Sequence, residues 1–268
     1  MIPLISINTL SLEPAPFVSH VEAVARLGAP AISPDLQDFA LCPRRAAVRA
    51  VRDAGLEVAV LTHRAFGFSN PADTAEQRKR LNRTVDLAHA LGARAVCMTT
   101  GGRGELTWDE AAARFAEAIA PCAEHARAAG VELGVEPTSH LYADASIVHR
   151  LADAVALAKA AGISVGLDLF PCWTDADIET AIAAAGPICA FVQVSDYVYG
   201  DRGLPCRAVP GDGAVPLERL TSLILATGCR GPFDIEVIGP RLVAEGREAG
   251  LKRAIRWLEA AIRNGPPA

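Results

Sequence analysis

Four residues in the second half of the chain carry chemistry suited to a cation: Glu136 in GVEPTSH, Asp168 in SVGLDLFPCW, Gln193 in FVQVSDY and Glu236 in GPFDIEVIGP. Each stands at or near the end of a short apolar run, where a carboxylate or amide leaving water is costly unless something pairs with it. A lone acid at a strand end is more often a helix cap or an ion-pair partner. A succession of such groups, separated by 32, 25 and 43 residues, asks for another reason. Three carboxylates and an amide crowded at one point repel unless a cation neutralises them, and an all-oxygen set selects a hard divalent ion such as Mg²⁺ or Mn²⁺. The expectation is one divalent metal ion held by Glu136, Asp168, Gln193 and Glu236.

Those separations are each about one strand-plus-helix unit, which turns attention to the elements that would bring the four together. Short apolar runs alternate with Ala-rich segments of helical spacing along the whole chain. The strand candidates are PLISIN, APAIS, LEVAVLT, ARAVCMTT, VELGVEP, SVGLDLF, CAFVQVSD and GPFDIEVI; helices are expected over about 15–27, 43–54, 71–91, 108–129, 144–161, 175–185, 216–227 and 241–263. Asn70-Pro71 and the TWDE box at Thr107–Glu110 are helix starts, and glycines at 28, 55, 92, 130, 162, 186 and 228 are helix stops. Eight such units over residues 1–268 predict one α/β domain, a single closed (β/α)8 barrel of the TIM type, whose C-terminal strand ends meet at one mouth. A doubly wound open sheet is the alternative. It lacks a GxGxxG after the first strand, and TTGGRGE after the fourth is too loose to be a phosphate loop.

Composition narrows the partners. A formal net charge of −5 and no long Lys/Arg cluster disfavour nucleic acid, and no apolar run is long enough to span a membrane. Seven cysteines scattered singly, with no CxxC pair, read as reduced thiols in a cytoplasmic protein. The partner is then a small-molecule substrate, and a homo-oligomer is left open.

The order VEP, LDLFPCW, VQVSDY, RAVPGDG and FDIE resembles the xylose isomerase-like barrels, the superfamily of sugar phosphate isomerases and epimerases, and the likeness runs from ISINTLSL to the last helix. The resemblance implies a single Mn²⁺, Co²⁺ or Mg²⁺ ion, held in that superfamily through Glu, Asp, His and Glu. It also implies that Glu136 and Glu236 do acid/base work from opposite faces of the substrate through a metal-stabilised enediolate, and that Arg207 holds substrate oxygens. Two departures stand out. Gln193 occupies a place where His is commoner, as in 3-dehydroshikimate dehydratases, and the usual DxxH motif reads DLFP, with Pro171 in the position of the substrate-binding histidine.

Proline carries no proton, so that histidine's task is dropped or moved. His140, four residues after Glu136, and His63, beside Arg64 at the end of the third predicted strand, are the candidates for taking it over, with His63, Arg64, His140 and Arg207 as substrate-binding residues. The expected function is a metal-dependent isomerase or epimerase of a sugar, polyol or related keto compound. A lyase of the 3-dehydroshikimate or inosose dehydratase kind uses the same enolate, and a non-catalytic ligand-binding barrel is the third reading. A DNA-repair endonuclease of this fold needs a histidine-rich three-metal cluster and a basic face, neither of which this sequence offers.

Overall fold

The structure, a computed structural model, describes residues 3–265; residues 1–2 and 266–268, the ends of the expected domain, lie outside the described residues. Among the described residues eleven strands are formed: Ile5–Asn8 (β1), Ala31–Ser33 (β2), Glu57–Val58 (β3), Val60–Thr62 (β4), Ala95–Met98 (β5), Glu132–Val135 (β6), Ser164–Asp168 (β7), Cys189–Val194 (β8), Asp196–Tyr197 (β9), Arg207–Ala208 (β10) and Phe233–Ile235 (β11). The helices are Phe17–Leu27 (α1), Arg44–Ala54 (α2), Thr74–Leu91 (α3), Trp108–Ala128 (α4), Leu151–Ala161 (α5), Leu169–Cys172 (α6), Ile178–Ala185 (α7), Leu217–Ala226 (α8), Pro240–Glu245 (α9) and Arg247–Asn264 (α10).

Nine strands form one parallel sheet in the order β3-β2-β1-β11-β8-β7-β6-β5-β4. The two ends of that order, β3 and β4, are pieces of a single stave interrupted at Ala59. The Ala59 amide donates to Ile32 across β2, and its carbonyl accepts from Arg94 on the β5 side, which closes the ring. Eight staves wrapped by helices are therefore a (β/α)8 TIM barrel, and the open-sheet alternative is excluded. The remaining pair, β9 and β10, is a small antiparallel hairpin over the mouth.

Helices cover the ring because each presents an apolar stripe: on α1, Phe17, Val21 and Val24 are buried at helical spacing. The large apolar core lies between strands and helices, and a separate cluster of Ala31, Ala59, Val60, Ala95, Cys97, Ala190 and Phe191 fills the inside of the barrel. Phe191 closes its floor. A Cβ at Gly134 would fall 2.7 Å from the Phe191 ring, and one at Gly166 2.1 Å from it. These mid-strand glycines are there because a ring lies against the backbone.

Several boundaries differ from expectation: the helix expected over 241–263 is split at Gly246 into α9 and α10, and the one expected from 175 starts at Ile178. The helix expected from residue 144 begins at Leu151, because the preceding segment is occupied by the loop after β5: the Gly101 amide donates to the Ala145 carbonyl and Ile147 donates to the Thr100 hydroxyl. Gly186 has a helical φ of −46° rather than a left-handed stop, and leads into a further turn. A Cβ there would strike Thr227 at 2.2 Å, so close packing is the reason for that glycine.

Candidate active site

Side chains alternate along a strand, so the residues two steps beyond the inward-facing floor also face inward. Gly134 and Glu136, Gly166 and Asp168, Phe191 and Gln193, and Asp234 and Glu236 are four such pairs. The registers align Asp168 with Gln193 and Gln193 with Asp234, and Glu136 and Glu236 follow directly on β6 and β11 at the same mouth, their amides donating to the Met98 and Val194 carbonyls. Asp168, Gln193 and Glu236 are all buried, and the Gln193 Nε2 donates to Glu236 Oε2.

Arg207 enters from the hairpin. β10 pairs with β9 through Arg207 and Tyr197, and the Arg207 amide donates to Ile238, which fixes the backbone over the mouth. Its guanidinium grips Asp168 with two bonds, Nη1 to Oδ1 at 2.9 Å and Nη2 to Oδ2 at 2.6 Å, and Nη1 also donates to Ser195 at 3.1 Å. It lies 3.8 Å from Glu236 and 4.7 Å above the Phe170 ring centre. Asp168 serves a second purpose, accepting the Phe170 amide at 3.1 Å to start α6. That short helix holds Pro171.

Electrostatics follow from this crowding. Burial raises Glu136 well above the usual carboxylate range, with Glu236 and Asp168 adding repulsion, while the Cys97 thiol and Arg207 pull the other way. Burial likewise pushes Glu236 to about 7 against the pull of Arg207, helped by Asp168 and Asp234. Burial would lower the Arg207 guanidinium, but Asp168 and Glu236 hold it above its ordinary value.

Among the described residues, no three His, Cys, Asp or Glu side chains are gathered as a metal-holding group. The guanidinium between Asp168 and Glu236 stands where a cation belongs. It does not finish the task. Were all three carboxylates ionised, one guanidinium would leave negative charge in excess, and both Glu136 Oε2 and Gln193 Oε1 are buried without any donor. Orphaned acceptors of this kind are costly, and a divalent ion or ligand donors would satisfy them. The donor chemistry fits a hard cation.

The other expected residues are distributed unevenly. Arg64 reaches the mouth, with a left-handed φ of 71° and an ion pair to buried Asp35 at 3.0 Å. His140 is exposed in the turn after β6, and its ring makes no hydrogen bond among the described residues. His63 is turned the other way: it is buried behind the barrel, with Nδ1 2.7 Å from the Thr84 hydroxyl on α3. Since Val60 faces inward and Leu61 outward, parity puts His63 outward too. Phe66 packs edge-on against Phe115 of α4 in the core, whereas Trp173 joins Tyr197 and Tyr199 at the surface. Asp196 orders the loop that carries Arg207, accepting from the amides of Tyr197, Gly211, Gly213 and Val215.

Two contributors were not singled out from sequence. Ser195 is the third anchor of Arg207. Asp234 lies beneath Glu236 and accepts from Ser6 at 2.7 Å and Asn8 at 2.9 Å, and burial pushes it to about 6. The alternation in ISIN and FDIE, polar at every second place, is the signal that could have found this layer.

A family model described as xylose isomerase-like TIM barrel matches residues 21–261. Among solved structures, the protein SMc04130 from Sinorhizobium meliloti 1021 is 27% identical, with a TM-score of 0.83 over 98% of both chains. An L-ribulose 3-epimerase superposes with a TM-score of 0.79 at 22% identity, covering 98% of this chain and 95% of its own. The IOLI protein, solved with a bound zinc atom, gives 0.84 at 16% identity, covering 99% and 100%. At those lower identities the likeness is one of fold. No curated protein matches the chain in sequence.

Proposed function

This chain belongs to the xylose isomerase-like TIM barrel family, and we propose that it is a divalent-metal-dependent isomerase or epimerase of a sugar, polyol or related keto compound. The observation that carries the reading is the pair Glu136 and Glu236, two carboxyl groups at one mouth whose burial brings them towards neutrality. A general acid or base works best when its pKa lies near the working pH. Glu236 can take a proton from the carbon beside a carbonyl, while Glu136, with Oε2 unpartnered, can hold and return one. Arg207, rigidly placed by Asp168 and Ser195, presents a flat cation to substrate oxygens. Glu136, Gln193 and Glu236 are the residues that would hold a divalent ion, with Asp168 joining through lone pairs that Arg207 leaves free. When bound, such an ion supplies an electrophile for the substrate's carbonyl and hydroxyl oxygens. Support comes from the zinc atom of the IOLI protein and from the epimerase neighbour.

The test is elemental analysis of the purified protein, followed by solvent deuterium exchange into a panel of ketoses and cyclic polyol ketones. One equivalent of divalent metal and exchange at the carbon beside the carbonyl are expected, with Glu236→Gln lowering exchange roughly 10²–10⁴-fold. Protein that takes up no metal and exchanges no substrate of the panel would overturn the reading. Dehydration is the second reading, favoured by Gln193 in place of an imidazole and by a half-buried Glu136 able to protonate a leaving hydroxyl. The same panel separates the two, since a lyase yields water and an unsaturated product.

A further inference from the structure

A cavity of about 660 Å³ is formed by the loops after β4, β5 and β6 and by the first two turns of α3. Its lining contains Arg80, Arg103, Gln77, Ser69, Gly102 and Asp144. It is on the same C-terminal face as Glu136, whose strand carries one of those loops.

The charge on its wall is unmatched. Arg80 is half-buried and has no carboxylate partner among the described residues; one terminal nitrogen donates to the Ala65 carbonyl, and Nε is buried with no acceptor. Burial lowers its guanidinium, and that cation in turn helps to keep the neighbouring His63 neutral. Arg103 is exposed and likewise without an ion pair among the described residues. Gln77 Oε1 is buried without a donor. The one acidic residue of the lining, Asp144, is exposed and gives its backbone carbonyl to the Gly102 amide. Elsewhere the arginines that line buried surface are satisfied: Arg207 has Asp168, and Arg78 has the Ala118 and Glu117 carbonyls.

We propose that this cavity is an oxyanion subsite, receiving the phosphate or carboxylate end of the keto compound whose reacting carbons lie between Glu136 and Glu236. An oxyanion supplies the counter-charge that Arg80 and Arg103 lack, and a hydroxyl on the same group supplies the donor that Gln77 lacks. The volume leaves room for the carbons that join it to the reacting end. The substrate half of this inference rests on the proposed function; anion binding does not, and is read without turnover.

The experiment is calorimetric titration of the full chain with inorganic phosphate. Saturable binding of one equivalent is expected, weakened about tenfold by Arg80→Gln and less by the exposed Arg103→Ala, with Arg80→Lys retaining most of it. Arg49→Gln, in the separate arginine-rich patch on α2, is the control and should bind as the wild type does. No binding to the wild type, or binding lost only in Arg49→Gln, overturns the subsite. A second arm titrates a ketose phosphate and the matching free ketose into Glu136→Gln, which cannot turn over. Tighter binding of the ketose phosphate than of either free ketose or inorganic phosphate, dependent on Arg80, supports the substrate assignment. Equal affinity for ketose phosphate and inorganic phosphate overturns that assignment. Loss of all exchange activity with phosphate binding intact would count against the proposed function alone.

Discussion

Burial fixes the charge of His63. It is 1% exposed, and desolvation, followed by the Arg80 cation, lowers it to about 3 from an ordinary value near 6.5. Between those pH values the unfolded chain binds a proton that the folded chain refuses. The stability that goes with neutral His63 is thus fully present above about pH 6.5 and declines as the pH falls towards 3. At pH 5 the loss is about 2 kcal/mol. Urea unfolding of the wild type should lose that much more stability between pH 7 and pH 5 than His63→Asn does; parallel losses would contradict the assignment. At this scale the sequence was readable wherever polarity interrupted an apolar run, as at Glu136, Asp168, Gln193 and Glu236. His63 sits at a strand end too, but which face it takes depends on the parity of Val60 and Leu61, and a run apolar on both faces hides that parity. Arg207's partner was hidden for another reason. Its distance from Asp168 is set by the hairpin of β9 and β10, whose fold no local spacing specifies.

The staves of the barrel were legible because each is a short apolar run bounded by helix stops and turn residues. The third run, LEVAVLT, gave no warning that Ala59 would interrupt it, since the break is made by bonds to Ile32 and Arg94 on two different neighbours. Nor could spacing find the start of α5, which yields its first residues to the loop after β5. Between β6, β7 and β8 the packing depends on Phe191 lying against bare backbone. Gly166→Ala puts a methyl at 2.1 Å from that ring and should destabilise the protein by about 1–3 kcal/mol. Phe191→Leu opens space on its own and is also destabilising, but the two changes together should cost less than their sum. Denaturant midpoints of the two single variants and the double variant check this, and strict additivity would mean that the floor adapts in some other way.

In the whole molecule, no half is complete without the other. β1 pairs with β2 on one side and with β11 on the other, so the last strand closes on the first. The three tryptophans sample distant places: Trp108 opens α4, Trp173 stands at the mouth, and Trp257 lies on α10. Within each variant that keeps one tryptophan, the fluorescence and far-ultraviolet circular-dichroism midpoints in denaturant should coincide, and separated midpoints would reveal independent parts. The closing contact also has a consequence in time. Ser6 and Asp234 are 228 residues apart. At the usual pace of translation, about 5–20 residues per second, the first strand leaves the ribosome roughly 10–45 s before its last partner is made. Through that interval one side of β1 stays unpaired, Ser6 and Asn8 wait for the carboxylate they will bond, and Glu236 does not yet exist. The mouth is therefore among the last parts assembled during synthesis, and no nascent fragment that ends short of β11 can hold both glutamates.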